Sequence, residues 1–141
     1  MSDSREIDSA YWAMRIIFGL AVLIAGVDKF TKILANWDAY LSPIAARALP
    51  ISTSSFMHIV GVIEIIVGLC LLGGLTRVFG YIAMIWALCL AANLISTGMF
   101  YDIAVRDVLI ATGAFSLAKI TEARARAAVV TPRLDEYRRA A

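Results

Sequence analysis

No charged residue stands between Arg77 and Asp102. That gap constrains the fold more than any other feature of the chain. A bilayer core of about 30 Å takes about 20 helical residues to cross, and the stretch Val78 to Ser96 meets that need. Three more apolar segments have a similar length: Tyr11 to Phe30, Phe56 to Leu75 and Tyr101 to Ile120. In 141 residues, 61% are hydrophobic and 17% charged, against about 45–50% and about 25% in soluble domains. A soluble domain of this size has too little interior to bury so much apolar surface, whereas lipid lets the outside of the molecule be apolar as well. The expected fold class is therefore all-α, an integral membrane four-helix bundle over residues 11–120. A short N-terminal segment, 1–10, precedes it and a basic tail, 121–141, follows.

Two of these segments are short once their charges are considered. Only Ile16 to Val27 separate Arg15 from Asp28, and only Val108 to Ala118 separate Asp107 from Lys119. Either they do not cross, or flanking charges enter the membrane and are compensated there by snorkelling or pairing. Crossing is expected, because Glu64 lies well inside the second segment and already brings a carboxylate into lipid.

Four crossings put both termini on one side. That side then carries Arg5, Arg15, Arg77, Lys119, Arg124, Arg126, Arg133, Arg138 and Arg139, and the other only Lys29, Lys32, Arg47 and Arg106. The excess places the termini in the cytoplasm. The tail then serves as an anchor beside anionic lipid or a partner rather than a nucleic-acid arm. The first apolar run ends in Val27-Asp28-Lys29-Phe30 rather than a small-x-small cleavage signal, so it is expected to remain in the protein.

Connections and packing signals agree with this plan. Ser52 to Ser55 offer N-cap oxygens before the second span, and Gly73, Gly74 and Thr76 mark a tight turn after it. In the outer loop, 31–55, Trp37, Tyr40 and Leu41 suit a piece lying at the membrane surface. Gly19 and Gly26 share one helix face, as do Gly61 and Gly68, and permit close helix approach.

Orientation turns sequence position into depth. Glu64 falls about 12 Å below Phe56 at the helical rise per residue. Asn93, Asp28, Lys29, Arg106, Asp107 and His58 come from the same outer layer, whereas Arg15 lies near the cytoplasmic face. An ionised carboxylate at a helix centre costs roughly 2.5–3.5 kcal/mol on insertion scales. Glu64 should therefore face inward toward a cation, with Arg106 the first choice and Lys29 the second. Such a layer serves either as an ion-pair network joining four helices or as a site for a quinone head group, a proton path or a small polar ligand. Trp86, Tyr81, Phe100 and Tyr101 are candidate lining residues.

Cys70 and Cys89 form no CxxC pair, and the one histidine, His58, excludes a bis-histidine haem within this chain. No metal site and no covalently bound cofactor are expected.

The Arg15 position, GLAVLIAGVDKF (Gly19 to Phe30), GVIEIIVGLCLLGGLTR (Gly61 to Arg77) and RDVLIATGAFSLA (Arg106 to Ala118) together resemble the DoxX family of small four-helix membrane proteins. The likeness covers about residues 11–120. It implies a bacterial multi-pass protein of the inner (plasma) membrane, akin to subunits or partners of membrane redox systems such as thiosulfate:quinone oxidoreductase. The expected role is an accessory or anchoring subunit of a quinone-linked complex, with quinone the candidate ligand and no catalysis of its own. The expected partners are the lipid bilayer and other complex subunits, with no nucleic acid. A quinone-dependent oxidoreductase component and a small transporter or proton channel are the alternatives.

Overall fold

The computed structural model describes the backbone over residues 2–140 and side chains over residues 5–128. All its regular elements are helical among the described residues. They run α1 (Ser2–Thr31), a short 3-10 turn (Trp37–Tyr40), α2 (Pro43–Ala48), α3 (Thr53–Leu72), α4 (Thr76–Ser96) and α5 (Tyr101–Ala140). Among the described residues, three helices are long and apolar enough to cross a membrane: α1 over Arg5–Thr31, α3 and α4. Large apolar side chains such as Ile17, Ile66, Ile85 and Leu109 lie exposed on the helices. A surface so rich in them is that of a membrane protein. The apolar run of the longest helix, α5, is interrupted by Asp102, Arg106, Asp107 and Lys119.

Helix limits follow local chemistry. α3 begins earlier than the apolar run because Ser52 acts as N-cap, its Oγ accepting from the Ser55 N–H at 3.1 Å. It ends at Leu72, before the Gly73-Gly74 turn, where Gly74 has φ +96°. A side chain would be strained there. The 121–140 stretch, rich in Ala and Arg, continues α5 as helix. The side chains of Arg133, Arg138 and Arg139 lie outside the described residues.

The closest packing is α1 on α3 and α4 on α5. Glycine sets the first pairing. A Cβ on Gly26 would stand 2.8 Å from the Gly61 carbonyl oxygen, and one on Gly61 would stand 2.8 Å from that of Gly26. Alanine sets the second, with Ala83, Ala87 and Ala91 buried on α4 and Ala104, Ala111, Ala114 and Ala118 on α5. Small residues let the helix backbones approach and gain dispersion contacts, the main attraction left to helices in lipid. Between the pairs, Tyr11, Val67, Leu71, Ala83, Ala114 and Leu117 make a core near the tail end. Ala91, Leu94 and Ala104 make a smaller one near the 32–52 connection, joined by Tyr40, Phe100 and Ile103. The space between these two plugs is open.

Candidate functional site

That space is a cavity of about 570 Å³ whose lining comes from all four long helices. Its size falls within the range of about 300–1,000 Å³ usual for small-molecule sites. Most of the wall is aliphatic, including Val22, Val60, Val67, Leu90 and Ile110. Polar groups gather toward one end: Lys29, Glu64, Trp86, Asn93, Arg106 and Asp107. The 32–52 connection contributes Trp37, Tyr40, Leu41 and Ala45 to the lining.

A buried ion pair is the centre of this polar end. Lys29 Nζ donates to Glu64 Oε2 at 2.5 Å, and both side chains are buried. The second carboxylate oxygen, Oε1, accepts from Trp86 Nε1 at 3.3 Å. Lys29 Nζ also stands 3.8 Å from the Trp37 ring centroid, a cation–π contact that strengthens where water is excluded. The glycines that set the α1–α3 separation also bring the charges together. Glu64 Cβ is 3.0 Å from the position of a Cβ on Gly26, and Lys29 Cβ is 3.1 Å from that of one on Gly61.

Two polar side chains fold the connection over the cavity. The Asp28 carboxylate accepts from the Thr31 hydroxyl, the N–H groups of Ile33, Leu34 and Ala35, and Trp37 Nε1. This satisfies the carboxylate in an apolar setting and stabilises the turn at Lys32, whose φ is +53°. From α4, Asn93 Nδ2 donates to the Tyr40 carbonyl at 2.6 Å while its Oδ1 accepts from the Ser42 N–H at 3.0 Å. Trp37 and Tyr40 line the cavity. Tyr40 packs edge-on against Phe100 with centroids 5.0 Å apart.

The structure brings together only part of the expected layer. Arg106, the first-choice partner for Glu64, has a side chain 60% exposed and lies 3.6 Å from Asp107. Lys29 takes that partnership instead. Depth along a helix does not encode rotation about it, and Asp107 rather than Arg106 falls on the stripe of Ala104, Ala111 and Ala114 that faces α4. His58 stacks on Phe30 with ring centroids 4.9 Å apart. Arg15 lies at the opposite end, its Nε donating to the Leu72 carbonyl at 3.1 Å. It thereby satisfies the C-terminus of α3 with a positive charge. Trp37 and Trp86 were not expected as polar partners. Trp86, expected as a lining residue, could also have been assigned an acceptor from its position in mid-span, since a buried indole N–H needs one. Among the described residues, no group of three or more His, Cys, Asp and Glu side chains could hold a metal.

Fold and site thus define a class: an all-helical membrane protein in which a buried lysine–glutamate pair sits at the polar end of a largely apolar cavity. No protein-family model, curated protein or solved structure matches the chain.

Proposed function

We propose that this is a DoxX-like four-span protein of the inner (plasma) membrane with both termini cytoplasmic. Its role is an accessory or anchoring subunit of a quinone-linked redox complex that holds a quinone in the cavity. The observation that carries this reading is the cavity's polarity: long aliphatic walls leading to Lys29, Glu64 and Trp86. A quinone joins a ring with two carbonyl acceptors to an apolar tail, and the cavity offers donors at one end and hydrocarbon along the rest. When bound, the quinone supplies the capacity to take up electrons and protons. Lys29, with N–H groups beyond the one it gives Glu64, would donate to a carbonyl oxygen, Glu64 would hold or release a proton beside it with Trp86 Nε1 orienting its carboxylate, and the connection held by Asp28 and Asn93 would limit water.

The fourth crossing is supported by how α5 manages its charges. Asp107 faces inward on the alanine stripe, while Arg106 is exposed and long enough to snorkel. The test is purification in mild detergent, followed by solvent extraction and chromatography. The expected result is quinone near one per chain, together with co-purifying subunits, and loss of the quinone from a folded Glu64→Gln protein. Quinone no more abundant than in a membrane protein of equal size purified from the same cells would remove the reading.

A further inference from the structure

A second charged cluster joins the first turns of α4 to the middle of α5. Glu122 Oε1 accepts from the Tyr81 hydroxyl at 3.1 Å and lies 3.6 Å from Arg77 Nε. Its Oε2 is 3.2 Å from Lys119 Nζ and 3.7 Å from Arg126 Nη2. One carboxylate therefore gathers three cations. Its own side chain is only 13% exposed, while those of Arg77, Lys119 and Arg126 are 71%, 50% and 80% exposed. The anion lies beneath and the cations splay outward, leaving an uncompensated positive surface.

The platform under this cluster is fixed. Thr76 Oγ1 and Thr121 Oγ1 join α4 to α5 at 2.9 Å, and Tyr11 Oη reaches Thr76 Oγ1 at 3.2 Å. Beside the cations the surface turns apolar. Lys119 Nζ stands 5.6 Å from the ring centroids of both Tyr81 and Phe115. Those two rings meet edge to face at 6.2 Å, and Phe115 and Val78 are exposed. Positive charge thus adjoins hydrocarbon-compatible surface where the apolar part of α5 ends.

We infer that Arg77, Lys119 and Arg126 form a binding site for the phosphodiester head group of an anionic phospholipid, with Tyr81 and Phe115 against its acyl chain. Free phosphate shares the head-group chemistry but has nothing to place on the aromatic surface, so the lipid is the occupant. The phosphate competes with Glu122 for the three cations and leaves the carboxylate in place below them. This site is independent of the quinone reading.

The full chain in detergent, titrated with phosphatidylglycerol or phosphatidylcholine and followed by native mass spectrometry, tests the inference. Phosphatidylglycerol is expected to remain bound in preference, with affinity falling about fivefold for each of the three cations changed to glutamine. Arg5→Gln, at an exposed cation on α1, is expected to change nothing. Equal retention of the two lipids, equal loss in Arg5→Gln, or displacement of the lipid by millimolar inorganic phosphate would each overturn the site. Helicity by circular dichroism shows that the variants fold; if Lys119→Gln does not, the pair Arg77→Gln and Arg126→Gln reads the same site. Quinone measured in the same samples reports on the cavity separately.

Discussion

Removing the Glu64 carboxylate would leave the Lys29 ammonium buried without the charge it meets at 2.5 Å. Loss of one partner from such a pair costs about 3–5 kcal/mol, whereas apolar replacement of both is often close to neutral. Lys29→Met and Glu64→Leu should each lower stability by that amount, and the double variant by clearly less than their sum. Reversible unfolding in mixed micelles measures the cycle, and strictly additive losses would show that the groups do not meet. Asp28 acts on backbone rather than on a counter-ion. In Asp28→Asn one acceptor oxygen becomes a donor, so amide exchange at Ile33, Leu34 and Ala35 should accelerate while the cores of α3 and α4 stay protected. Hydrogen bonds from Lys119, then from Tyr81, hold the Glu122 carboxyl below its ordinary value of 4.5. Its stabilising contribution is therefore present above pH 4.5 and is lost as the pH falls through the lower folded value. Glu122→Gln should remove that part of the acid sensitivity, as read from thermal unfolding across pH.

The helices make different demands on their residues. At Gly26 and Gly61 a Cβ would meet carbonyl oxygen at 2.8 Å, so α1 and α3 must separate if either becomes alanine. Overpacking of this kind costs typically about 1–3 kcal/mol, and the separation would also draw Lys29 away from Glu64. Gly26→Ala should therefore lower both the unfolding temperature and quinone retention. An unchanged protein would show that the close approach is not needed. The apolar runs and glycine spacing made the long helices legible in the sequence, because lipid imposes a simple length rule and small residues mark contact faces. Partner choice was less legible. Arg106 and Lys29 stand at similar depth, and only the buried stripe of Ala104, Ala111 and Ala114 shows that α5 turns Asp107 inward and Arg106 outward. The lid was hidden for a related reason. Trp37 and Tyr40 fit an interfacial belt by composition, and the course of their rings into the cavity wall depends on Asp28, just before the loop, and on Asn93, distant in sequence yet bonded to it.

At the scale of the whole molecule, two tightly packed helix pairs leave a cavity between them, flanked by two hydrophobic clusters and given polarity by one ion pair. The geometry supports a lipid-soluble occupant only if all four long helices lie in the bilayer, and α5 is the helix whose charges make that demanding. Single cysteines placed in a Cys70→Ser, Cys89→Ser background decide the matter, one at Asn36→Cys in the loop and one at Ala128→Cys on α5. Intact cells treated with a membrane-impermeant maleimide should label the first and spare the second, which should react only after permeabilisation. Labelling of both positions from outside the cell would leave three crossings and contradict the account.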